Sequence, residues 1–170
     1  MVKKNLVLLG MMASGKTTVA KIVSKKHNMK FIDTDNNIVK KNSMSIDVIF
    51  KNKGEAFFRK EEEKEVLKSL KNKNCIISIG GGAFINKNIR ESVLKNAISI
   101  WLDVETEVLK KRLKKNNKRP LLNKENNEKQ IDEIYNKRKK IYEMANHKIN
   151  CTLLTKNKIV DKIIKIYEKK

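Results

Sequence analysis

The stretch Gly10-Met11-Met12-Ala13-Ser14-Gly15-Lys16-Thr17 fits the pattern G-x-x-x-x-G-K-[ST], and it lies between the apolar run Leu6 to Leu9 and the helix-like Thr18 to Val23. A strand that runs through such a loop into a helix has very few ways to fold. The two glycines let the backbone close around phosphate oxygens with successive N–H groups pointing inward. The helix beginning near Lys16 adds about half a positive charge at its N-terminus. In this arrangement Lys16 reaches the β- and γ-phosphates of a nucleotide and the Thr17 hydroxyl ligates Mg²⁺. Gly10, Ala13, Ser14, Gly15 and Thr18 complete the expected nucleotide-binding set.

Beyond this loop the pattern alternates. Strands are expected at 5–9, 31–34, 75–79, 97–102 and 148–153. Helices are expected at 16–27, 36–53, 55–72, 87–95, 105–115, 127–145 and 157–168. Short strands joined by helical crossovers imply an α/β fold with a parallel sheet covered on both faces, a three-layer α/β/α sandwich. At 170 residues, with no internal repeat, the chain reads as one domain spanning 1–170. The polar stretch 116–126 holds the only proline and is longer than an ordinary connection, which is typical of a lid.

The motif does not name the phosphoryl acceptor. No Asn/Thr-Lys-x-Asp loop follows a late strand, so a guanine-reading site is excluded. The strand 75–79 ends in glycines instead of a Walker B aspartate, so the carboxylate on the Mg²⁺ side must come from elsewhere. Phe31-Ile32-Asp33-Thr34-Asp35 offers two carboxylates at a strand's carboxyl end, and alternation along an extended segment would point both toward the same mouth. Such a pair can divide its labour, one member supporting Mg²⁺ and the other accepting a hydroxyl proton. Arg59 reads equally as a partner of Glu62 or Glu63 on its own helix or as an anion-binding group. Gly80-Gly81-Gly82 follow a strand directly, and half of the chain's six glycines stand there, where backbone N–H groups can approach a ligand unobstructed.

Lys+Arg is 40 against 19 for Asp+Glu, a net charge of +21 that raises the question of a nucleic-acid partner. Only five of those cations are arginine: Arg59, Arg90, Arg112, Arg119 and Arg138. Readers of nucleic acid favour the arginine fork, and a lysine, asparagine and isoleucine surplus reads as drift in an AT-rich genome. Aromatic residues make up 5%, too few for a repeated stacking platform. Arginines retained in such a background mark places that need a bidentate donor. Arg90 belongs to none of the motifs and is assigned to a solvated helix face. Cys75 and Cys151 read as buried free thiols, His27 and His147 as surface residues. The first strand follows within four residues of Met1 and no apolar run approaches a membrane span, so a cytoplasmic location is expected.

Taken together, these residues resemble a shikimate kinase, in the nucleoside-monophosphate-kinase group of P-loop folds. The resemblance runs over nearly the whole chain: the loop 10–17, Asp33-Thr34-Asp35, Phe58-Arg59 with Glu62, Gly80-Gly81-Gly82, Arg119-Pro120-Leu121-Leu122, and Arg138 ahead of Tyr142. It implies transfer of the ATP γ-phosphoryl group to the 3-hydroxyl of shikimate. It also implies strand order 2-3-1-4-5, a substrate-binding region at about 33–62 and a mobile lid at about 113–126. By resemblance Asp33 assists the Mg²⁺ site with Thr17, and Lys16, Asp35 and Arg119 are catalytic. Arg59, Gly81, Gly82 and Arg138 bind shikimate together with Asp35 and Arg119, while Arg112 and Arg119 reach the nucleotide. The partners implied are ATP and shikimate, with no specific nucleic acid and no membrane, and a monomer is expected. Many relatives carry a basic residue near the adenine where this chain has Thr152-Leu153-Leu154-Thr155-Lys156. A gluconate or nucleoside-monophosphate kinase on the same fold is the alternative, and a nucleic-acid-binding protein is a more distant one.

Overall fold

The computed structural model describes residues 4–115 and 127–169. The chain runs β1 (Asn5–Leu9), α1 (Lys16–Lys26), β2 (Lys30–Asp33), α2 (Thr34–Asn42), α3 (Ile46–Leu70), β3 (Cys75–Ser78), a 3-10 turn (Ala83–Ile85), α4 (Lys87–Asn96), β4 (Ala97–Asp103), α5 (Thr106–Lys115), α6 (Asn127–Tyr142), β5 (His147–Asn150) and α7 (Lys156–Glu168). The strands form one five-stranded sheet of order β2-β3-β1-β4-β5, parallel at every pairing. Helices cover both faces, giving the expected three-layer α/β/α architecture. Every residue of β1, β3 and β4 is buried, which is why these segments read as unbroken apolar runs and not as alternating ones.

Several boundaries differ from the sequence reading. β2 stops at Asp33 and β5 at Asn150, both earlier than expected, and α6 ends at Tyr142. The break placed between 53 and 55 is real: Gly54 sits at φ 80°, ψ 167°, a kink within the long α3. The 3-10 turn after the glycines was not anticipated, and it explains Arg90. Arg90 is half-buried, and its Nη1 donates to Phe84 O at 3.1 Å and Ile85 O at 3.0 Å, satisfying the carbonyls where the turn ends. His147 is half-buried in β5 and not on the open surface. Both cysteines are free and buried as expected, and burial raises both thiol pKa values, Cys151 to about 12.

One buried polar side chain holds the floor of the sheet. Asn5, the only polar residue of β1, donates from Nδ2 to Leu70 O (3.2 Å) and Asn72 O (2.6 Å), and its Oδ1 accepts from Cys75 N (3.0 Å). It therefore fixes the turn from α3 into β3, at the end of β1 opposite the phosphate loop. Asn5→Ala would strand these backbone groups and should cost on the order of 2 kcal/mol in urea denaturation, with substrate KM values unchanged.

Candidate active site

The carboxyl ends of the adjacent strands β2, β3 and β1 open onto one cleft of about 500 Å³, the usual ligand edge of such a sheet. Its walls include Ala13 to Thr18, Asp33, Asp35, Ser78 and Gly81, with Arg112, Leu154, Lys156 and Ile159 on the far side. The phosphate loop is shaped by backbone that needs glycine. Gly10 has φ +137°, and a Cβ there would stand 2.7 Å from Leu102 O. Lys16 is buried and folds back over the loop, its Nζ donating to Gly10 O and Met11 O at 2.9 Å each. Among the described residues the buried Ser14 hydroxyl finds no hydrogen-bond partner, a polar group aligned with the cradle and suited to an anionic ligand. Arg112 from α5 donates through Nη1 to Ala13 O at 3.1 Å, which ties that helix to the loop.

Asp33 does two things. Its Oδ1 accepts from Asn36 N at 3.1 Å as the N-cap of α2, and its Oδ2 accepts from the Thr17 hydroxyl at 2.8 Å. Asp33 and Asp35 do not alternate along one strand, because the extended segment ends at Asp33 and Asp35 lies in the first turn of α2. Both still line the cleft, since the cap turns α2 across its mouth. The donor set around Thr17 and Asp33 is a hydroxyl and a carboxylate at a helix N-terminus. Among the described residues there is no group of three or more His, Cys, Asp or Glu side chains that could hold a metal ion. Hard oxygen donors in that number suit Mg²⁺ carried in with nucleotide phosphates.

The three glycines after β3 make room for charge. A Cβ on Gly80 would stand 2.5 Å from Glu62 Oε1 and 2.7 Å from Asp35 Oδ1; on Gly82, 2.5 Å from Arg59 Nη1; and on Gly81, 3.3 Å from Arg138 Nη1. Beyond the backbone approach expected of them, these glycines admit four charged side chains from α2, α3 and α6. Arg59 pairs on its own helix with Glu62 (Nη1 to Oε2, 2.8 Å) and with Glu55, and not with Glu63. That pairing and a site role are compatible, because the pair aims the guanidinium at Gly82. Glu62 is 2% exposed, and sequence reasoning left it out of the site. Its spacing three residues after Arg59 was the available signal. Burial raises the Glu62 pKa above its ordinary value, Asp35 adds to the rise, and Arg59 and Arg138 oppose it. Burial also works against the Arg59 charge, but Glu62 and Glu55 outweigh it. Arg119 and most of the expected lid lie outside the described residues.

The chain matches the family model described as shikimate kinase over residues 12–168. It is 41% identical over 161 residues to a shikimate kinase of Sulfurihydrogenibium sp., covering 95% of this chain and 96% of that one. A shikimate kinase of Persephonella marina is 37% identical, covering 95% and 97%. The structure of a shikimate kinase from Acinetobacter baumannii in complex with shikimate superposes with a TM-score of 0.93 at 28% identity, covering 98% of this chain and 94% of that one.

The raised Glu62 pKa has a measurable sign. A carboxyl raised in the folded state contributes stability that is complete below its unfolded value of 4.5 and is lost as pH rises through the folded value. In urea denaturation over a pH series, the stability of wild type relative to Glu62→Gln should therefore fall as pH climbs from 4.5 toward neutrality. A rise over the same range would mean that attraction to Arg59 outweighs desolvation.

Proposed function

The chain belongs to the shikimate kinase family, and from that premise we propose which of its residues carry the reaction. The enzyme transfers the γ-phosphoryl group of ATP to the 3-hydroxyl of shikimate, giving shikimate 3-phosphate and ADP on the route to chorismate and the aromatic amino acids. The observation that carries the assignment of residues is the convergence of Arg59, Arg138 and Asp35 on Gly80 to Gly82, beside the mouth of the phosphate loop.

The backbone of Gly10 to Thr18 cradles the phosphates, and Lys16 turns from the loop carbonyls to the β- and γ-phosphoryl oxygens. Thr17 and Asp33 hold Mg²⁺, which when bound neutralises charge on the phosphoryl oxygens. Arg112 lies against the nucleotide base, with Leu154, Ile159 and Lys156 also lining that part of the cleft, and Lys156, the last residue of the stretch 152–156, is its basic group. Arg59 and Arg138 clamp the shikimate carboxylate, their planar forks matching its two oxygens, and the Gly81 and Gly82 backbones border the ring. Asp35 accepts hydrogen bonds from the substrate hydroxyls and orients the attacking oxygen. The transition state of phosphoryl transfer is loose and strongly anionic, so positioned cations matter more than a strong base. Arg119, assigned by its motif alone, adds charge at the transferring group. We place the enzyme in the cytoplasm as a monomer without a nucleic-acid partner. No helix among the described residues is long and apolar enough to cross a membrane.

Two variants test these roles in a coupled ADP-release assay. Lys16→Ala should abolish shikimate-dependent turnover while circular dichroism stays native. Arg138→Lys should weaken shikimate binding by on the order of 1.5–3 kcal/mol and leave ATP untouched, the scale of a charged hydrogen bond. A change confined to ATP would move Arg138 into the nucleotide site.

A further inference from the structure

Tyr142 closes α6 with its side chain fully buried, tilted 48° to Trp101 with ring centroids 5.7 Å apart. Its hydroxyl donates to Gly81 O and lies 3.9 Å from Met11 Sδ. A single phenol thus touches the glycine loop at its centre and the phosphate loop at its second residue. Arg138 stands one helical turn earlier on the same face of α6, and its Nη1 points to the same glycine. Burial raises the phenol's pKa and the Arg138 guanidinium opposes the rise, so the oxygen stays protonated within that arginine's reach. Its proton is committed to Gly81, which leaves the oxygen's lone pairs as the acceptor beside Arg138.

We propose that Tyr142 is a positioning residue for the acceptor. Its hydroxyl fixes the Arg138 fork and the Gly81 peptide relative to the phosphate loop, so that the carboxylate clamp is set at a defined distance from the nucleotide. This rests on the assignment of Arg138 to the shikimate carboxylate. The rest of α6 is anchored independently, through Asp132 to the buried Lys110 at 2.7 Å and through the Tyr135 hydroxyl to Asp103 at 2.8 Å. Removing one hydroxyl therefore leaves the helix in place.

Tyr142→Phe keeps the ring against Trp101 and deletes only the hydroxyl. Shikimate and ADP affinities are measured by calorimetry on wild type, Tyr142→Phe, Arg138→Met and the double variant, shikimate in the presence of Mg·ADP, with thermal denaturation alongside. Tyr142→Phe should weaken shikimate roughly tenfold with ADP affinity retained, the scale of one hydrogen bond in a charged site. In the Arg138→Met background the same change should cost less than about twofold, because the hydroxyl acts through that arginine. Unchanged shikimate affinity in Tyr142→Phe overturns the proposal. So does an equal loss in both backgrounds accompanied by a lower Tm, which marks a structural role only. If Arg138→Met itself leaves shikimate binding intact, the assignment of Arg138 fails, and the proposal fails with it.

Discussion

Four charged side chains from three helices share the space above Gly80 to Gly82, and they can do so only because no Cβ projects there. Each position is filled by a different functional group: carboxylates over Gly80, the Arg138 guanidinium over Gly81, the Arg59 guanidinium over Gly82. With alanine at any of these positions, the arrangement of opposed charges would have to spread. The charges also depend on one another. A carboxylate as buried as Glu62 is costly alone, and its 2.8 Å contact with Arg59 offsets part of that cost while aiming the arginine. The geometry of this charged cluster is therefore a packing property as much as an electrostatic one.

The features that were legible in the sequence are those written in consecutive residues. The loop 10–17, the glycine run and the interruption at Gly54 are each declared within a few positions, and the strand order followed from the resemblance that these local motifs support. Asp35 lines the cleft from the first turn of α2 and not from the strand, because the end of a four-residue strand cannot be fixed to the residue by pattern alone. The unread features depend on contacts between distant segments. Arg90 gave no sign that it would cap a turn, since the turn itself carries no periodic signal. Glu62 is legible only as a companion of Phe58-Arg59, and its place over Gly80 depends on how α3 packs against the end of β3. The Tyr142 contact with Gly81 joins α6 to the end of β3, and nothing in either segment announces it.

The charge of +21 divides along the same line. Among the described residues Lys16 and Lys110 are the buried lysines, one on the phosphate loop and the other tying α5 to α6. Arg59, Arg90 and Arg112 each donate to a specific carboxylate or carbonyl. The exposed lysines form a diffuse field, screened beyond roughly 8 Å at physiological salt, that can draw in anionic substrates without reading them.

Trp101 lies fully buried with its ring edge 3.3 Å from the point where a Gly10 Cβ would stand, its face near Tyr142, and the Lys148 ammonium 4.4 Å from the ring centroid. It is the only tryptophan in the chain. The enzyme therefore has a single built-in indole between the phosphate loop and the end of α6. Its emission thus comes from one known position, with a ring and an ammonium group as its near neighbours.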